Sequence, residues 1–134
     1  MDDKKGTLLI IDDDESIRKL LRVILEKEGF TVLTESTGYA GVVALDREFE
    51  VLKRIKTTLV IVDWMMDGWD GLKTLNEIRV RPWGEKLPII LMSGAVTREQ
   101  LVQAGRGKAN AVILKPIDKD ILLAKIQEAI QSLP

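Results

Sequence analysis

The chain is predicted to be an α/β protein, a parallel sheet with helices on both faces, and three observations predict it. Short runs rich in Val, Ile and Leu, of the length of buried strands, recur at Thr7–Ile11, Phe30–Thr34, Thr58–Asp63, Pro88–Met92 and Ala111–Leu114. The segments between them space their apolar residues as amphipathic helices do, so strand and helix alternate along the chain. Right-handed crossovers then bring every strand's carboxyl end to one edge of the sheet, and there the sequence puts acids, a hydroxyl and a lysine.

Taken in order, Met1 to Gly6 is a polar lead-in, and the first strand runs into Asp12-Asp13-Asp14-Glu15. Ile17, Leu20, Leu21, Ile24 and Leu25 form a helical stripe that Gly29 stops. After the strand Phe30–Thr34, residues 36 to about 55 read as a helix and its exit, with Ala40, Val43 and Ala44 on the inner face. The stretch from Asp46 to Lys56 is charged and has no clear period; one long helix, a kinked one, or a helix plus loop fit it equally. Leu72, Leu75 and Ile78 mark a short helix closed by Arg81-Pro82-Trp83-Gly84. Thr97 to Gly105 is a weak, polar helix, and Asp118 to Ser132 is the last, with Ile121, Leu122, Ile126, Ala129 and Ile130 inward.

The 134 residues suit a single domain, 1–134, with no repeat or low-complexity linker and no apolar stretch near the roughly 20 residues that a membrane span needs. No leader pattern opens the chain, and the absence of Cys removes disulfides and thiolate metal sites; a cytoplasmic location is expected. A net charge of −1 without a basic stripe argues against nucleic-acid binding. The absence of His removes Ser-His-Asp and Cys-His catalysis, the usual zinc sites, and any phosphohistidine made on this chain.

The predicted strand ends carry Asp12 and Asp13, then Asp63, Ser93 and Lys115. Alone, Asp63 could be a turn cap, Ser93 a turn residue and Lys115 a solvated charge. On one edge they compose a chemistry. Three converging carboxylates need a cation, and an all-oxygen donor set suits Mg²⁺ far better than Zn²⁺. A phosphoryl group on one carboxylate would meet that cation, a lysine, a hydroxyl and backbone N–H groups. Asp14 and Glu15 fit better as acids of a first helical turn than as metal ligands. Trp64, Trp69 and Trp83, without basic residues clustered around them, are expected to pack over the sheet edge.

These residues resemble the receiver domains of two-component response regulators. Ile10-Ile11-Asp12-Asp13-Asp14 is similar to that family's acidic turn, and Val60-Ile61-Val62-Asp63-Trp64-Met65-Met66 to its phosphoacceptor strand and loop. Ile89-Ile90-Leu91-Met92-Ser93-Gly94-Ala95 matches its hydroxyl position and Leu114-Lys115-Pro116 its lysine. The resemblance implies a flavodoxin-like, doubly wound, five-stranded sheet in the order 2-1-3-4-5. Asp63 would be the phosphoacceptor, with Asp12, Asp13, Asp63 and the Met65 carbonyl holding Mg²⁺ or, as an alternative, Mn²⁺. The backbone N–H groups of Trp64, Met65 and Gly94 would bind phosphoryl oxygens, Ser93 and Lys115 would contact and report the phosphate, and the Lys115–Pro116 bond would be cis. The implied donor is a histidine kinase, a histidine phosphotransfer protein or a small acyl phosphate, and the implied output a downstream protein or a fused domain. Such a domain assists its own phosphorylation and dephosphorylation without being a turnover enzyme.

Three positions depart from the family pattern. Asp67 replaces a common Pro, Val112 replaces the aromatic residue that family members use in the switch, and Gly105-Arg106-Gly107-Lys108 is an unusual approach to the last strand. Met65 and Ala95 stand where rapidly dephosphorylated members carry polar or acidic side chains. Two other readings compete: an interaction module of the same fold that is never phosphorylated, and a phosphohydrolase with an Asp nucleophile. Enzymes of the latter kind often place a second acid two residues after the nucleophile, where this chain has Met65.

Overall fold

The computed structural model describes residues 5–132; residues 1–4 of the expected lead-in, and residues 133 and 134, lie outside the described residues. Strands β1 (Thr7–Ile11), β2 (Thr31–Glu35), β3 (Leu59–Asp63), β4 (Ile89–Ser93) and β5 (Ala111–Leu114) form one parallel sheet in the order β2-β1-β3-β4-β5. Helices α1 (Glu15–Lys27), α2 (Gly38–Leu52), α3 (Gly71–Arg79), α4 (Arg98–Arg106) and α5 (Lys119–Gln131) connect them. The expected flavodoxin-like order is the observed one.

Every residue of β1, β3 and β4 is buried, because helices cover both faces of the sheet. Alternate side chains supply two cores. Leu8, Ile10, Leu59, Ile61, Ile90 and Met92 meet Leu21 and Leu25 of α1 and Leu122 and Ile126 of α5. Leu9, Ile11, Val60, Val62, Ile89 and Leu91 meet Val42 and Leu45 of α2, Leu75 and Ile78 of α3, and Ala104 of α4. Each such Leu or Ile side chain contributes roughly 1.5–3 kcal/mol by leaving water. All five helices start on a side-chain cap: Asp14, Thr37, Asp70, Thr97 and Asp118 each accept a backbone N–H from the first turn. Glu15 is a first-turn acid, as the sequence suggests, whereas Asp14 sits one position earlier as the helix cap.

Several expectations for the helices need correcting. The buried face of α2 is Gly38, Gly41, Val42 and Leu45, whereas Val43 is exposed and Ala40 and Ala44 are half-buried. The glycines turn inward because a Cβ on Gly38 would collide with Thr74, and one on Gly41 with Ile11. The charged stretch resolves as continuous helix up to Leu52, ending at Lys53 in the left-handed region (φ 60°) with its N–H donated to Phe49 O. Its charges follow tertiary partners instead of a helical period: Asp46 pairs with Arg81 at 3.0 Å, and Glu48 accepts the Thr57 hydroxyl at 3.0 Å. Ile121 and Leu20 lie on exposed faces of α5 and α1, because Leu122 and Leu21 take the adjoining buried positions. Trp64 is buried and Trp69 stacks edge-on against Tyr39 near the carboxyl edge. Trp83, in the α3–β4 loop at the opposite end of the sheet, donates its indole N–H to Asp46.

The β3–α3 connection is pinned where it closes. The Gly71 N–H donates to Trp64 O at 2.8 Å, and a Cβ on Gly71 would lie 2.6 Å from Asp63 O and 2.7 Å from Trp64 Cα. Gly71→Ala is expected to cost about 1–3 kcal/mol by forcing the end of β3 away from α3. Gly105, inside α4 with open space around it, should gain about 0.5–1 kcal/mol on becoming Ala. Thermal melts of the two variants should therefore move in opposite directions, and equal shifts would show that close approach at Gly71 is not what fixes this loop.

Candidate functional site

Asp12 immediately follows β1 and Asp63 ends β3, and because these strands are neighbours their carboxylates converge at the sheet edge. Asp12 is 0% and Asp63 4% exposed, while Asp13 stands exposed at the mouth. One oxygen from each of the three lies within 4.8 Å of the others. Lys115, just past β5, reaches across to put Nζ 2.9 Å from Asp63 Oδ1 and 3.4 Å from Asp12 Oδ2. Its backbone N–H is donated to Ser93 O at 2.7 Å, and the Lys115–Pro116 bond is cis, as expected.

Two contacts that the sequence pattern did not disclose hold the acidic turn. Asp12 Oδ1 accepts the Asp14 N–H at 2.9 Å, and Arg18 donates Nη1 to the Asp12 carbonyl at 2.7 Å from the first turns of α1. Burial is the main influence on Asp12 and raises its pKa above the ordinary 3.8, with the Asp63 charge adding to the rise against the Asp14 N–H and Lys115. Burial alone would lower the Lys115 pKa, but the hydrogen bond to Asp63 and the charges of Asp12 and Asp63 outweigh it, and the net direction is up. Three carboxylates and one ammonium leave two negative charges at this edge. That excess, with the all-oxygen donor set, fits a hard divalent cation such as Mg²⁺. The Met65 carbonyl accepts no hydrogen bond among the described residues and could complete the set.

Ser93 is buried one residue beyond Met92, the register partner of Asp63. Its hydroxyl faces the β4–α4 connection, 2.8 Å from Ala95 O and 3.1 Å from Gln100 Oε1, and makes no hydrogen bond to Asp63 or Lys115. Of the three amides expected to meet phosphoryl oxygens, that of Trp64 is committed: it donates to Met92 O at 2.8 Å, continuing the β3–β4 ladder. The expectation for Trp64 would require that ladder bond to break. The Met65 and Gly94 amides have no partner among the described residues. The Met65 side chain is 70% exposed, Ala95 is exposed, and Val112 is half-buried against the α2–α4 core.

The raised pKa of Asp12 makes a stability prediction. A carboxyl that binds its proton more tightly when folded costs stability once ionised; the cost is complete above its folded pKa and fades as pH falls toward the unfolded value near 3.8. Asp12→Asn retains an oxygen for the Asp14 N–H and should melt at a higher temperature than the wild type at pH 7 without divalent ions. That advantage should shrink as the pH is lowered. Millimolar Mg²⁺ should raise the melting temperature of the wild type and not of Asp13→Asn. An unchanged wild-type melt would argue against a cation site.

Comparison with known proteins bears on the family and the fold. The response regulator receiver domain family matches residues 8–127. The chain is 35% identical over 132 residues to the transcriptional regulatory protein GlrR of Escherichia coli K12, covering 98% of this chain and 28% of GlrR. It is 28% identical over 130 residues to the chemotaxis protein CheY-3 of Vibrio cholerae, covering 97% of this chain and 95% of that protein. A CheY-like receiver domain protein of known structure from Methanospirillum hungatei superposes with a TM-score of 0.80 at 28% identity, covering 94% of each chain. No helix among the described residues is long and apolar enough to cross a membrane. With the family's match spanning residues 8–127 and a receiver domain of known structure superposing over 94% of the chain, the chain belongs to the response regulator receiver domain family.

Proposed function

We propose that the chain is a phosphoacceptor signalling switch in which Asp63 takes a phosphoryl group from a phosphohistidine on a histidine kinase or phosphotransfer protein, or from a small acyl phosphate. The observation that carries this reading is the Asp63 carboxylate, 4% exposed, 2.9 Å from Lys115 Nζ and beside Asp12 and Asp13 at the sheet edge. An Asp63 oxygen attacks phosphorus, the P–N bond of the donor (P–O for an acyl phosphate) breaks, and the imidazole or carboxylate departs. Having no His, the chain depends on another molecule for that donor. Mg²⁺, or Mn²⁺ in its place, held by Asp12, Asp13, Asp63 and the Met65 carbonyl, would neutralise charge on the phosphoryl oxygens.

Lys115 has the reach to move from the Asp63 carboxylate to a phosphoryl oxygen on it, and the Met65 and Gly94 amides offer unpartnered donors. The chain assists its own phosphorylation and dephosphorylation and is not a turnover enzyme. We place it in the cytoplasm, with no direct contact to membrane or nucleic acid. Because it spans 28% of GlrR and 95% of CheY-3, both a fused output domain and a separate downstream protein are compatible with the domain.

Incubation with Mg²⁺ and acetyl phosphate should add one phosphoryl group by mass to the wild type and none to Asp63→Asn. Turnover of phosphate esters would instead indicate a hydrolase, and no modification would indicate an interaction module. The modified state should be long-lived. Hydrolysis needs a water held in line behind phosphorus, and neither the Met65 thioether nor the Ala95 methyl can hold one. The double variant Met65→Asn, Ala95→Glu should lose its phosphoryl group roughly tenfold faster or more, short of the 10²–10⁴ that a well-placed base contributes. If the wild type already decays as fast, these side chains do not set the lifetime.

A further inference from the structure

Gln100 makes the only side-chain hydrogen bond to the Ser93 hydroxyl among the described residues, at 3.1 Å from its Oε1. The same oxygen faces the Thr97 N–H at 3.4 Å, while the Gln100 N–H donates to Thr97 Oγ1 at 3.1 Å, so the residue also completes the capping box of α4. One amide oxygen therefore joins the buried hydroxyl at the end of β4 to the first turn of the next helix. Ser93 has one proton, shared between Ala95 O at 2.8 Å and Gln100, and a hydroxyl so engaged cannot also donate to a group on Asp63.

We propose that Gln100 is a latch: it holds the Ser93 hydroxyl turned into the β4–α4 connection, and a phosphoryl group on Asp63 must take the hydroxyl from it. This rests on the phosphoacceptor reading and adds to it a positioning residue that touches neither metal nor phosphate. Capture of the hydroxyl leaves Gln100 Oε1 with the Thr97 N–H alone, so the capping box of α4 persists while its tie to the end of β4 is lost at the moment the site fills. Val112, β-branched and without a ring to relocate, offers no comparable route from the site to a helix. Val112 should accordingly keep its rotamer when the segment from Ser93 to Arg98 shifts.

The test is a double-mutant cycle read by binding of the phosphoryl mimic beryllium fluoride in Mg²⁺, with affinity followed by tryptophan fluorescence. Gln100→Met keeps helix propensity and length but offers only a weak acceptor. It should bind the mimic roughly 2- to 5-fold more tightly than the wild type, somewhat less than a whole hydrogen bond because Ala95 O keeps its share. In a Ser93→Ala background the same substitution should change affinity by nothing, since no hydroxyl remains to be released. Gln100→Ala should give the same cycle if the longer side chain disturbs the helix. Equal tightening with and without Ser93 would mean that the helix has merely loosened, and it would overturn the latch, as would no tightening at all. A wild type that does not bind the mimic, or binds it as well after Asp63→Asn, would sink the phosphoacceptor reading and the latch with it. Binding by the wild type with a null cycle sinks the latch alone.

Discussion

The Lys115 ammonium, shared between two buried carboxylates, is the interaction on which the rest of the edge depends. Asp12 and Asp63 lie on adjacent strands, but β5 is separated from β3 by β4, a gap of about two strand spacings or roughly 10 Å. Only a long side chain placed just beyond the strand end can cross it, and the short Ser93 on the strand between leaves the path open. One ammonium cannot balance three acids. The residual negative charge is a cost to the fold, and it is the same charge that the proposed cation would neutralise, so stability and the proposed function draw on one imbalance. Arg18 and the Asp14 N–H restrain the turn that carries Asp12, holding the like charges together against repulsion.

Most of this was legible in the sequence for a physical reason. Strands covered on both faces must be apolar at nearly every position, so β1, β3 and β4 stand out as runs, and polar residues at their ends have nowhere to be except the edge. Asp12, Asp63 and Ser93 come to one edge because that rule applies to β1, β3 and β4 independently, and Lys115 joins them from the half-buried β5 because parallel strands end on the same side. Helices gave weaker signals. In α2 the residues that pack closest are glycines, which carry no hydropathy signal, and Ala and Val drew the inner face to the wrong side. Its second half is ordered by Asp46 with Arg81 and Trp83, and by Glu48 with Thr57, pairings that no periodicity encodes. Gln100 carries no sequence signal for the same reason, since a capping-box residue resembles any polar residue of a first turn and its tie to the Ser93 hydroxyl is tertiary.

The amino edge of the sheet is held by different chemistry from the carboxyl edge. Arg79 is half-buried with no acidic partner among the described residues; its guanidinium donates to the carbonyls of Gly84, Leu87, Gly107 and Lys108, tying the α3–β4 loop to the α4–β5 loop. Burial lowers its pKa, yet an arginine stays charged at any pH where the fold exists. Four carbonyl dipoles in place of a carboxylate give a junction that neither pH nor a competing cation readily undoes, in contrast to the acids across the sheet.

Helix α4 is strung between these two ends. Ala104 is its one buried residue, so it brings little apolar area to the core, and its C-cap Gly107 is wedged against Leu75 and Asn76 beside the Arg79 junction. An element held by few apolar contacts lies at the low-stability end of a fold. Its C-terminal end is fixed by packing at Gly107 and by the Arg79 guanidinium, whereas its N-terminal end is fixed by the hydrogen bonds around Thr97, Gln100 and Ser93 alone. Hydrogen bonds of that kind are worth about 1 kcal/mol each, a scale that a single charged group arriving on Asp63 can match. A helix anchored by a full apolar face would resist a change of this size, whereas the proposed switch acts on a helix with a single buried residue.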